Sequence, residues 1–161
     1  MADEDFAADI AAVQAIDRTR AILEEVCGLT GMGFAAVARV TESRWIACQL
    51  LDRIEFGLEP GDELEIGTTI CNEIRASGHG VFIDHVAGNT EWRTHHTPAL
   101  YGFQSYISLP IQVDGGGFFG TLCAIDPAPR HHSLAVVFPT IAQLAHEIGV
   151  ALSRQPRGVS S

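Results

Sequence analysis

The chain has 161 residues, 47% of them hydrophobic and 19% charged, which suits one folded domain with a buried core rather than a disordered tail. Its net charge of −10, with no run of Lys or Arg, repels phosphate backbones and anionic lipid surfaces, so nucleic acid and membrane insertion are excluded as expectations. No apolar run approaches the roughly 20 residues that span a bilayer, and the acidic start Met1 to Phe6 is unlike a basic secretory leader, so the expected location is cytoplasmic.

The expected layout is a disordered acidic segment over 1–8, a single domain over 9–154 and a disordered tail over 155–161. Residues 9–29 read as one helix, with Ile10, Val13, Ile16, Ile22, Leu23 and Val26 forming an apolar stripe. Gly28, Gly31 and Gly33 break it. Phe34 to Glu42 and Arg44 to Asp52 read as a hairpin turning at Glu42-Ser43. Residues 56–65 carry Gly57, Pro60, Gly61 and four acids, and read as an exposed loop.

Thr68-Thr69 caps a short helix from Ile70 to about Ser77, stopped by Gly78. A third strand surrounds Val81 to Asp84. Residues 87–102 lack a period and form a long crossover loop with one helical turn at most, a length often tied to function. Gln104–Val113 and Gly117–Asp126 form a second hairpin around Asp114-Gly115-Gly116. After the Asp126 to Arg130 corner, a helix runs from Ser133 to Ser153. Its apolar positions Leu134, Val137, Ile141, Leu144, Ile148 and Leu152 approach a heptad seam. Paired hairpins with terminal helices make an α+β domain built on an antiparallel sheet.

Along the second hairpin, alternation places Tyr106, Ser108 and Pro110 on one face. The apolar Ile107, Leu109 and Ile111 take the other, expected to meet the helices. In the next strand Phe119, Thr121, Cys123 and Ile125 share a face, and periodicity leaves open whether it looks into the core or into a pocket. Cys27, Cys48, Cys71 and Cys123 include no CxxC pair and read as buried thiols rather than disulfides or a zinc site. Cys71, near a helix start that lowers a thiol pKa, is the best candidate among them for a redox-responsive group.

The stretches from Thr69 to Val86 and from Thr94 to Arg130, with Tyr101 to Pro110 reading Tyr-Gly-Phe-x-Ser-Tyr-x-x-x-Pro and Phe119 to Asp126 reading Phe-Gly-Thr-Leu-Cys-Ala-Ile-Asp, resemble the GAF domain family in its bacterial signalling form. The resemblance covers about Ile16 to Leu152. It implies a five- or six-stranded antiparallel sheet, terminal helices on one face, and a pocket on the other roofed by the short helix and long loop. It further implies a noncatalytic sensor that binds a small ligand, dimerises through its terminal helices and serves an output such as a histidine kinase. No ATP-binding glycine box or phospho-acceptor helix occurs here, so the chain reads as a stand-alone sensor or a fragment of a larger receptor.

The ligand-binding candidates are Cys71, Phe82, Asp84, Trp92, His95, His96, Tyr101, Tyr106, Ser108, Thr121 and Cys123. Adjacent His95 and His96 allow three readings: solvated loop residues, donors at a pocket mouth, or two ligands of a metal site completed by His85, Asp84, Cys71 or Cys123. Trp92 either anchors the loop or stacks on a flat ligand. No catalytic residue and no metal site is assigned, and the cofactor is unknown. The reductases of the family use cysteines in a region that here, from Asn72 to Gly120, holds none. Bilin-binding members attach the chromophore to a Cys-His pair, whereas Glu91 to Leu100 has histidines without cysteine, so covalent bilin is not expected. The alternatives to a sensor are a thiol-based reductase on the same scaffold and a ligand-free dimerisation module.

Overall fold

A computed structural model describes residues 7–41, 44–64, 74, 78–87, 103–113, 117–129 and 133–154. The expected tails before residue 7 and after residue 154, most of the short helix, most of the long loop and the Asp114-Gly115-Gly116 turn lie outside them.

The single expected N-terminal helix is two: α1 (Ala7–Gln14) and α2 (Thr19–Thr30). The ladder breaks at tighter turns, with Ile16 N–H donating to Val13 O and Thr19 N–H to Ile16 O. The Thr19 hydroxyl also donates to Val13 O at 2.8 Å, a side-chain alternative to continuing the helix. Gly31 at φ 75° closes α2 and donates to Cys27 O, the left-handed stop a glycine adopts without strain.

Strands β1 (Phe34–Val40) and β2 (Trp45–Asp52) form the first hairpin. A two-residue β3 (Glu63–Leu64) inside the expected loop pairs with the start of β2. Then come β4 (Val81–Ile83), β5 (Ser105–Val113) and β6 (Gly117–Asp126). The sheet is six-stranded and antiparallel in the order β3-β2-β1-β6-β5-β4. A short 3-10 helix (Leu134–Val136) leads into α3 (Phe138–Ser153), so the last helix also begins later than its apolar pattern suggests. Pro139, in the first turn of α3, has no N–H to leave unpaired there.

The helices cover one face of the sheet. Val13, Ile22, Leu23 and Val26 meet Ala35, Val37, Ile107, Leu109, Ile111, Leu122 and Ala124 there, together with Ile141, Leu144, Ile148 and Leu152 of α3. The heptad-like seam is therefore buried against its own sheet rather than held out for a twin. Two glycines set the spacing. A Cβ on Gly149 would stand 2.1 Å from Gln112 O, so α3 lies directly on β5. A Cβ on Gly120 would stand 1.7 Å from Ala38 O, where β1 runs beside β6 in the sheet.

Candidate functional site

The opposite face carries a second cluster of different character. Its centre is a floor of small residues. Ala36 pairs with Cys123 and Cys123 with Ser108, while Ala38 pairs with Ala47 on one side and Thr121 on the other. All six are buried. Large side chains stand around them: Trp45 and Val40 toward one end, Phe34, Phe103, Tyr106, Ile83 and Ile125 toward the other. The Phe103 and Tyr106 rings stack at 5.2 Å. Ile74, a helical residue outside the sheet, is fully buried in the same cluster, as is Val86 beyond β4. Interiors are close-packed, and in this structure protein covers the floor: Ile54, Phe56 and Leu58 after β2 pack against the cluster with Ile74, and Ala36, Ala38, Ala47, Ser108 and Thr121 are fully buried.

Four of the eleven sequence-derived candidates come together here: Tyr106, Ser108, Thr121 and Cys123. Alternation along β5 behaves as expected. It fails in β6 at Phe119, because Ile111 pairs with Gly120 while Gln112 pairs with Phe118, leaving Phe119 as a bulged extra residue. The bulge shifts the phase by one, and Phe119 turns into the helix-covered core instead of sharing the face of Thr121 and Cys123.

Phe82 and Asp84 are placed elsewhere. Phe82 pairs with Ile107, which puts it on the helix side, where its ring lies 5.3 Å from that of Phe138. Asp84 follows with the same parity. Its carboxylate accepts the Leu134 N–H at 2.6 Å and the Ser133 hydroxyl at 3.3 Å, capping the 3-10 helix. Both residues belong to the helix junction rather than the floor. Cys71, Trp92, His95, His96 and Tyr101 lie outside the described residues. Cys27, Cys48 and Cys123 are buried thiols; burial pushes Cys27 up, with Asp126 and Glu24 adding to it and Arg53 opposing. Cys27 and Cys48 sit in the helix-side core, leaving Cys123 as the described cysteine of the second face.

Sequence reasoning passed over Trp45. It is 3% exposed on the second face, and its indole N–H is buried with no hydrogen-bond partner among the described residues. Its parity with Ala47 along β2 was the available signal.

A separate cleft of about 670 Å3 opens on the helix side between Leu29 and Thr30 at the end of α2 and Leu134 and Val136 of the 3-10 helix. Its hydroxyls are already engaged: Thr30 donates to Val26 O, and Ser133 bonds Asp84 and the Ala135 N–H. No ionisable side chain lines it.

The GAF domain family model matches residues 14–152, which take in the whole sheet and most of the helices. The chain belongs to the GAF domain family. No curated protein sequence matches it. This GAF domain is similar in fold to the cyanobacteriochrome receptor PixJ, at 15% identity and TM-score 0.67, covering 91% of this chain and 98% of that one. It is also similar to the GAF-B domain of DevS from Mycobacterium smegmatis (15%, TM-score 0.63, 89% and 93%). The free methionine-R-sulfoxide reductase of Neisseria meningitidis, solved with its substrate, is a third (16%, TM-score 0.59, 96% and 96%). A photoreceptor, a GAF domain of DevS and an enzyme share the scaffold, so function has to be argued from the site.

Proposed function

We propose that this GAF domain is a noncatalytic sensory module that binds a small ligand over the floor of Ala36, Ala38, Ala47, Ser108, Thr121 and Cys123. The observation that carries the reading is the contrast between the two faces. One meets the helices with Ile107, Leu109, Ile111 and Leu122 among its residues; the other sets Ala36, Ala38, Ala47 and Cys123 amid Leu50, Trp45, Phe34 and Tyr106, with Ile54, Phe56, Leu58 and Ile74 packed against it. Ligand pockets are mostly apolar with a few placed polar groups.

The signal leaves through the terminal helices. Asp84 joins β4 to the segment that starts α3, and Arg39 joins the β6 bulge to α1, donating to Phe119 O at 2.7 Å and to Asp9 at 3.2 Å. A ligand that favours one arrangement of the domain over another shifts these helices in proportion to that preference. A homodimer through the terminal helices would use their outward residues, such as Arg20, Glu24, Gln143 and His146, since the apolar seam is already buried. A histidine kinase or similar output served from the cytoplasm completes the proposal.

The test is a thermal-shift panel of small metabolites on the wild type and on Ala38→Leu, whose added methyls fill the floor. A ligand at 100-fold its dissociation constant stabilises the wild type by about 2.7 kcal/mol and leaves the variant unmoved. Turnover of free methionine sulfoxide by the purified protein would sink the noncatalytic reading.

A further inference from the structure

Among the described residues, the walls of this face hold one polar atom left unanswered. Trp45 Nε1 is buried without an acceptor among them, on a residue only 3% exposed. A buried donor kept unpaired is costly to the fold, and the great majority of such groups find partners. Trp45 opposes Val40 across the hairpin, and the next residue of its own strand on that face is Ala47, which opposes Ala38. The indole therefore stands where the small-residue floor begins.

The opposite end of the floor is closed by Phe34, which lies six positions from Val40 along β1. At about 3.3 Å per residue those two ends are roughly 20 Å apart. The span between them is long enough for a flat molecule of two or three fused rings, which would have to displace the side chains of Ile54, Phe56, Leu58 or Ile74 that pack there. The charged group at the Phe34 end is the Asp52 carboxylate, opposite Phe34 and already accepting from the Ile54, Phe56 and Gly57 N–H groups, so it disfavours an anion there.

We infer that Trp45 is a ligand-binding residue whose indole N–H donates a hydrogen bond to a neutral, flat, mainly apolar ligand bearing a carbonyl oxygen or ring nitrogen at one end. This rests on the reading of the small-residue face as the ligand site. The acceptor makes the binding directional: Trp45 fixes one end, and the rings lie along the alanines toward Phe103 and Tyr106.

The experiment uses two probes of nearly equal shape, quinoline, which has a ring nitrogen, and naphthalene, which has none. Binding is followed by saturation transfer and by the 1H–15N resonance of the Trp45 indole, assigned by its loss in Trp45→Phe. Quinoline should move that resonance downfield while naphthalene binds without such a shift. Trp45→Phe should then weaken quinoline roughly 3- to 10-fold, to the level of naphthalene, and leave naphthalene unchanged. Quinoline bound with the indole resonance unmoved, or a quinoline preference that survives in Trp45→Phe, overturns the role of Trp45 while the ligand face stands. Failure of both probes to bind the wild type overturns the ligand face, and the inference with it. The wild-type spectra decide the matter even if the variant folds poorly.

Discussion

Asp84 Oδ1 accepts the backbone N–H of Leu134 at 2.6 Å across fifty residues of sequence. This bond, with the Ser133 hydroxyl on the other carboxylate oxygen, ties an edge strand of the sheet to the turn from which the last helix starts. Removing a side-chain cap of this kind costs about 1 kcal/mol. Asp84→Ala should lower stability by that amount, and hydrogen exchange should quicken first at Leu134 to Phe138. Uniform exchange across the chain would show that the contact holds nothing in particular.

Arg39 makes the matching link at the other helix. Its guanidinium donates to Asp9, to Val40 O and to Phe119 O, and lies 5.2 Å over the Phe119 ring. Lysine has one ammonium where arginine has a planar fork, so it cannot reproduce these contacts together. Arg39→Lys should therefore loosen α1 nearly as much as Arg39→Ala, read as lost amide protection over Ala7–Gln14. Full protection in the lysine variant would make the link one of charge alone.

Three glycines separate backbone contact from mere flexibility. Gly120→Ala and Gly149→Ala each drive a Cβ into a carbonyl oxygen, at 1.7 and 2.1 Å, and should cost about 3 kcal/mol or more. Gly28 sits inside α2 with nothing within 4 Å of its added Cβ. Gly28→Ala should stabilise by roughly 0.5–1 kcal/mol through helix propensity. Chemical denaturation of the three variants checks the order.

The four long strands and the antiparallel sheet were legible because alternation and hairpin spacing are local properties. Tyr106 and Ser108 took their expected face for that reason. The readings that failed needed information that alternation does not hold. The bulge at Phe119 inserts one residue and inverts the phase, and β4 is three residues long, too short to show which face Phe82 and Asp84 take. A helix seam looks the same whether it meets a twin or a sheet, so the burial of Ile141 and Ile148 in their own core could not be read from spacing. The break between α1 and α2 preserves the apolar stripe and so hid within it. Trp45 was overlooked because it lies at a strand end, beside an exposed ion pair of Arg44 with Glu63.

Acid should weaken the loop after β2 through Asp52. Burial alone would raise this carboxyl, but the N–H groups of Gly57, Phe56, Ile54 and Glu55 outweigh it and hold it below the usual range. Asp52 Oδ1 accepts from Ile54 and Phe56, and Oδ2 from Gly57. A carboxyl depressed in the folded state contributes stability above its unfolded value near about 4 and loses it as pH falls through the folded value. Asp52→Asn should therefore flatten the decline in melting temperature below about pH 4. An unchanged acid slope would remove Asp52 from the account of acid sensitivity.

The difference between the two faces of the sheet can be measured without knowing any ligand. Native protein is treated with N-ethylmaleimide, an uncharged thiol reagent, and labelling at each cysteine is timed by peptide mapping. Cys123 looks onto the small-residue face, whereas Cys27 and Cys48 are packed under the helices. Cys123 should react in the folded protein while Cys48 and Cys27 wait for global unfolding. Labelling of Cys123 only at the unfolding rate, or Cys48 ahead of it, would mean that the second face is as tightly filled as the first.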